Sequence, residues 1–229
     1  MIPRASDAEE WMDSPEQDVG DLDRTLADLR GVNRWLGGTR VVLTHMRRML
    51  WRAGPGSYSL LDVGTGSADI PLVLTRAFPQ LEIVATDAHA QTLELARHHV
   101  GDLPRIRVEP ADALALPYPD KTFDFALCST ALHHFEPPEA VRVLGELARV
   151  ARRGVIVNDL RRSPLNLLGA KLLAVTVWRH NRLTRHDGPL SVRRSYTPTE
   201  MALLAQAAGL QRGRVYTHLP FRLALVVEW

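Results

Sequence analysis

Leu60-Leu61-Asp62-Val63-Gly64-Thr65-Gly66-Ser67-Ala68-Asp69 decides how this chain folds. It reads as a short apolar strand that ends in an acid and runs straight into a glycine-rich turn. A helical stretch, 70–78, follows. Gly64 and Gly66 lack a Cβ, so the turn can be tight and a ligand can lie against the backbone. The helix that opens here points free N–H groups at whatever occupies the turn. This layout is a small-molecule cradle at the carboxyl end of a strand, where open α/β sheets bind ligands.

The dinucleotide fingerprint G-x-G-x-x-G needs its third glycine at position 69. That position is Asp69, a carboxylate where a pyrophosphate would approach. Asp62, two residues before Gly64, also suits a cationic or hydroxylated ligand better than a phosphate. Acid-apolar-Gly-x-Gly resembles the first motif of the class I S-adenosylmethionine-dependent methyltransferases, with Ala68 where many members have a third glycine. Three more segments resemble that family in order. Residues 81–87 form a strand ending in Asp87, 21 residues past Gly66, where such folds set a carboxylate on ribose hydroxyls. A short strand at 106–109 leads to Asp112, which matches the family's acid for the adenine amino group. Residues 123–129 read as the fourth strand, and the segment 130–135 after it resembles the loop that faces the methyl group.

The resemblance implies S-adenosylmethionine as cofactor, held by Asp62, Gly64, Thr65, Gly66, Asp87, Ala88, Asp112, Ala113 and Ser129. It implies a Rossmann-like, seven-stranded, mostly parallel sheet with a C-terminal antiparallel hairpin, an N-terminal helical cap and a helical insertion after the fifth strand. It also implies transfer of a methyl group to a small, largely apolar acceptor. A hydroxyl oxygen of a polyketide, phenol or quinone-type metabolite leads. C-methylation of a quinone precursor and a non-catalytic cofactor-binding partner remain alternatives. A nicotinamide-dependent reductase is disfavoured by Asp69 and by the terminal hairpin.

The 229 residues suffice for one sizeable core. Residues 1–20, polar and acidic, are expected to fray. Residues 21–55 carry apolar residues at helical spacing, broken at Gly37-Gly38, and read as a cap of two helices. The cap resembles that of quinone-biosynthesis methyltransferases, with Asn33-Arg34-Trp35 near the ligand mouth. Residues 56–229 hold the alternating strands and helices, with an insertion at 160–195. The first part of the insertion, 165–178, is apolar at most positions: a buried helix, a lid, or a membrane-surface element. Its later part is polar, and Asp187-Gly188-Pro189 predicts a loop. Thr197-Pro198-Thr199-Glu200 is a helix start, with Thr197 as cap and Glu200 closing a capping box. Residues 213–218 and 222–228 form the closing hairpin.

Methyl transfer from a sulfonium is an in-line displacement, so the protein positions the partners and removes a proton. For a phenol or enol the candidate bases are His133 and His134, after the fourth strand, and His186 beside Asp187. Asp159, Arg193 and Tyr196 are candidate substrate contacts, with Arg194 alongside. Asn158-Asp159 would need an acid after the fourth strand to hold a metal, and Ser129 and Thr130 stand there, so no metal site is expected.

The charges, 28 Lys+Arg against 26 Asp+Glu, leave a net of +2 without a concentrated basic stripe, which argues against a nucleic-acid substrate. Lone Cys128 excludes an internal disulfide. The chain lacks a signal-like start and any apolar run long enough for a bilayer, so the expected location is the cytoplasm, with peripheral membrane contact left open. Oligomeric state is not legible.

Overall fold

The computed structural model describes residues 2–6, 8–14 and 17–229. Its centre is a seven-stranded sheet of β1 (Tyr58–Val63), β2 (Leu81–Asp87), β3 (Ile106–Pro110), β4 (Phe123–Ser129), β5 (Ala151–Leu160), β6 (Arg214–His218) and β7 (Arg222–Glu228). The order is β3-β2-β1-β4-β5-β7-β6. The first five strands are parallel, and β7 inserts antiparallel between β5 and β6. The chain reverses its strand order between β1 and β4, so the crevice opens beyond the ends of these two strands.

Period-two alternation sends each strand's apolar side chains to two faces. Leu60, Ile83, Phe125, Leu127 and Ile156 meet α2 (Gly38–Ala53) and α3 (Asp69–Ala77) on one side. Leu61, Val63, Ala126, Cys128 and Val155 meet α5 (Pro137–Val150) and α8 (Pro198–Ala207) on the other. Helix α4 (Ala90–Val100) packs at the β2–β3 edge, with Ala96 and Val100 against Ala85 and Ile106. Helix α8 starts on the expected capping box of Thr197 and Glu200.

Helix α1 (Val19–Trp35) and the insertion helices α6 (Pro164–Val175) and α7 (Arg182–Arg194) gather over the crevice. Two expectations change here. The chain does not loop at Asp187-Gly188-Pro189: α7 runs through Pro189. Gly188 lets the ring of Trp178 come close, because a Cβ there would lie 2.6 Å from it. The carboxylate of Asp187 is taken by the backbone N–H groups of Trp11 and Met12, at 2.9 and 3.0 Å. Those bonds also tie down the stretch expected to fray. Residues 11–13 form a 3-10 turn against α7, and Ala5 and Glu10 are buried. Positions 1, 7, 15 and 16, within that stretch, lie outside the described residues.

Candidate active site

At the end of β1 the chain turns with Gly64 at φ +70° and Gly66 at φ +56°. A Cβ at Gly64 would lie 2.7 Å from that of Ala131, so the glycine lets the loop after β4 close on the turn after β1. Ala68, in the place of a third glycine, also takes a left-handed φ of 57°. Its methyl group is fully buried, which offsets part of the strain.

Asp62 is buried behind this turn. Oδ2 accepts from the hydroxyl of Thr65 at 2.6 Å, while Oδ1 is buried without a partner. Burial, with the charges of Asp69 and Asp87 adding to it, pushes its pKa up to about 7. An orphaned carboxylate oxygen among acids is a seat for a cationic donor such as an ammonium. Asp62, Thr65, Asp69 and Ser129 line a small recess of about 50 Å³ beside Gly64 and Gly66. Asp87 stays at the turn: Oδ2 accepts from the N–H of Gly66 at 3.1 Å and Oδ1 from that of His89 at 3.1 Å. Each oxygen keeps a lone pair for a further donor.

The recess adjoins a cavity of about 650 Å³ that reaches from Asp87, Ala88, Asp112 and Ala113 to His133 and His134. The implied cofactor residues thus line two adjoining spaces that meet at Gly64 and Gly66, Asp62, Thr65 and Ser129 in the recess and the rest in the cavity; the Ser129 hydroxyl also accepts from Asn158 at 2.8 Å. The polar end of the cavity is built around two histidines that point alike. Nδ1 of His133 lies 2.7 Å from Asp159 and Nδ1 of His134 lies 2.8 Å from Asp13. Both Nε2 atoms face Glu10, at 3.5 and 3.9 Å. Donor atoms of Glu10, His133 and His134 all fall within 4.8 Å of one another, a grouping not foreseen from the sequence.

Burial alone would keep these groups neutral, and their mutual charges reverse that. His133 is raised to about 10 against burial by the charge and hydrogen bond of Asp159 and then by Glu10. His134 is raised as well, with Glu10 overcoming burial and the repulsion of His133. Glu10 is brought down to about 2 against burial, chiefly by the charges and hydrogen bonding of the two rings. Asp159 is likewise lowered against burial by His133. The result is a buried ion cluster at the apolar cavity's end.

Several candidate contacts fall elsewhere. Asp159 is fully buried and holds the N–H and Nδ1 of His133, so it orients that ring rather than lining the cavity. Tyr196 is buried and donates its hydroxyl to the carbonyl of Phe135 at 2.7 Å. The side chain of Arg193 is exposed. His186 does contact Asp187, at 2.7 Å, yet it stacks outside on Trp11, with ring centroids 3.9 Å apart. The helical course of α7 explains these last two placements, since it turns Arg193 and His186 away from the crevice and leaves Asp187, Gly188, Ser191 and Val192 facing it.

Other residues brace the site from behind. Arg194 is buried and donates to the carbonyls of Ala8, His133 and His134, bracing the histidine turn. Arg222, fully buried, donates to Asn33 Oδ1 at 3.2 Å and to the hydroxyl of Thr130 at 3.0 Å. Asn33 in turn donates to Asp69 at 3.2 Å, so the cap is fastened to the glycine-rich turn. Glu10 and Asp13 had one local signal, the apolar pair Trp11-Met12 set among acids.

A family model described as a methyltransferase domain matches residues 60–154. The demethylmenaquinone methyltransferase of Deinococcus radiodurans is 41% identical over 96 residues, 42% of this chain and 39% of that protein. That of Anoxybacillus flavithermus is 30% identical over 138 residues, 59% of this chain and 56% of that protein. The chain therefore spans about half the length of such relatives, or less. A solved S-adenosylmethionine-dependent methyltransferase from Aquifex aeolicus aligns with a TM-score of 0.65 at 19% identity, covering 90% of this chain and 97% of that one.

Proposed function

We propose that this chain, whose residues 60–154 match a methyltransferase-domain model, is a class I S-adenosylmethionine-dependent methyltransferase that methylates a small, largely apolar acceptor at a phenolic or enolic hydroxyl. The observation that carries this reading is the cavity itself. One continuous space of about 650 Å³ joins the glycine-rich turn to the Glu10–His133–His134 cluster, between apolar walls.

Bound S-adenosylmethionine supplies an electrophilic methyl group on a sulfonium. The orphaned Oδ1 of Asp62 receives its ammonium, Asp87 its ribose hydroxyls, and Asp112 with Ala113 flanks its adenine. Leu26, Leu29 and Val32 of α1 and Leu173 of α6 line the remaining walls and exclude water from an apolar acceptor. His134 is partly accessible, and its Nε2 in the neutral ring takes the acceptor's hydroxyl proton; Asp13 fixes that tautomer through Nδ1. His133 stays protonated, held by Asp159, and its charge favours the acceptor's oxyanion.

C-methylation of a quinol ring is the second reading. It is favoured by the relatives named for demethylmenaquinone, and it needs the same deprotonation before carbon attacks the methyl group.

Calorimetric titration with S-adenosylmethionine, its demethylated product and NADPH, followed by methyl transfer to a panel of alkylated phenols, enols and quinols, tests both readings. Binding of the first two ligands, weakened by roughly 1–3 kcal/mol in Asp87→Ala, is the expected result. Product fragmentation then distinguishes oxygen from carbon. NADPH binding alone would end the methyltransferase reading.

A further inference from the structure

Helix α6 is turned inside out for a helix in water. Its buried positions are Asn166, Ala170 and Ala174. Its large side chains, Leu165, Leu168, Leu172 and Val175, point outward and are 68, 65, 61 and 68% exposed. They recur at three- and four-residue spacing and so form one stripe along the helix. A helix covering a core would bury the leucines and expose the alanines. Val177, 67% exposed, continues the apolar surface beyond the helix.

The helix borders the cavity mouth. Leu172 and Leu173 line the cavity together with Leu36, Pro220 and Phe221. Beside those residues stand Trp35 and Leu219, 76 and 87% exposed. The end of α1 meets the β6–β7 turn directly, since a Cβ on Gly37 would lie 3.0 Å from the carbonyl of Leu219. Three separate segments thus bring bare apolar side chains to one opening.

The three segments that supply these residues carry charge of one sign. Segments 29–61, 160–186 and 201–227, which supply these residues, contain no Asp or Glu. Arg34, Arg40, Lys171 and Arg179 are exposed on them. We infer that α6, the end of α1 and the β6–β7 turn seat on an anionic phospholipid bilayer, with the leucine stripe at the acyl boundary and the cations among the phosphates. A second copy of this chain is a poorer occupant. An isologous contact would set these cations against themselves, with no acid in the three segments to meet them. Entry of an apolar acceptor from the lipid through this mouth rests on the methyltransferase reading; the docking itself does not.

Vesicle flotation of the full chain tests the inference. Vesicles of phosphatidylcholine alone and of phosphatidylcholine with phosphatidylglycerol are compared at low and high salt. The chain is expected to float with the anionic vesicles and about tenfold less with neutral ones or at high salt. The double change Leu165→Ser and Leu168→Ser, outside the cavity lining, is expected to keep the melting temperature and cofactor binding while lowering partitioning by about tenfold or more. No flotation with either vesicle, or flotation indifferent to the double change, overturns the inference. So does a concentration-dependent dimer in sedimentation velocity that the double change dissolves. Failure of the methyltransferase reading would show separately, as absent cofactor binding with flotation intact.

Discussion

Oδ2 of Asp13 sits 2.8 Å from Nδ1 of His134, 121 residues away in the chain. This contact joins an N-terminal segment that carries no motif to the loop that follows the fourth strand. It also raises the basicity of a ring that lines the polar end of the cavity, alongside the larger effect of Glu10. A base must be neutral to take a proton, so the rate should climb with pH through a value above 6.5. Asp13→Asn removes one stabilising charge from the imidazolium. The rising limb of kcat/KM should then move to lower pH, with cofactor affinity unchanged. A limb that stays in place would reduce Asp13 to a tether.

Asp62 makes a different pH signature. Its pKa near 7 means that the cofactor-free protein holds a proton there at pH 6. An ammonium beside Oδ1 favours the carboxylate, so binding expels that proton. Affinity should therefore strengthen as pH rises towards 7, by at most about tenfold per pH unit, and level off above. Calorimetry in buffers of different ionisation enthalpy measures the released proton directly. Asp62→Asn should bind more weakly and without this dependence. Proton-neutral binding at pH 6 would place the ammonium elsewhere.

For Asp159 the measurable quantity is stability. His133 is lifted from 6.5 to about 10 by this carboxylate foremost. A raised folded pKa stabilises fully below the unfolded value of 6.5 and ceases to do so as pH climbs through about 10. Asp159→Asn leaves His133 buried with half its partner, at a cost of about 3 kcal/mol. Urea unfolding should show that deficit at pH 6 and a smaller one above pH 10. An equal deficit at both would mean the pair contributes through packing and neutral hydrogen bonds alone.

The parts of this molecule legible in its sequence are those whose cause is local. Gly64 and Gly66 mark a turn because left-handed backbone there excludes side chains, and β1, β2 and β4 announce themselves by apolar runs ending beside it. The capping box at Thr197 and Glu200 closes within four residues, and it too stood in the sequence. What stayed hidden depends on distant partners. Pro189 reads as a break, but α7 continues through it because Trp178, Trp11 and Met12 hold Gly188 and Asp187 from outside the helix. Glu10 looked like one more acid in a polar leader until the fold set two histidines against it. His186 looked like a base because Asp187 is its neighbour, but the helix turns His186 away from the cavity onto Trp11 and leaves Asp187 facing inward.

Arg222 gives the sharpest test of how the cap and the cradle depend on each other. Its guanidinium is wholly buried, and burial lowers its pKa to about 10. It donates to the carbonyls of Val32 and Leu36, to Asn33 Oδ1 and to the Thr130 hydroxyl. Arg222→Met keeps much of the volume and removes the cost of a buried charge. It also leaves the Leu36 carbonyl without its side-chain donor and thins the bonding of Asn33 Oδ1, which keeps only the Thr130 hydroxyl at 3.3 Å, so the loss should come to about 3 kcal/mol. In a chain of this size that lowers the melting temperature by roughly 6–12 °C. Cofactor affinity should fall with it, because Asn33 also holds Asp69 at the mouth of the turn. Arg222→Lys offers a single ammonium to partners spread around a planar fork, and should recover only part of either quantity. A methionine variant that melts like the parent, yet binds the cofactor poorly, would separate the two roles and make Arg222 a binding residue alone.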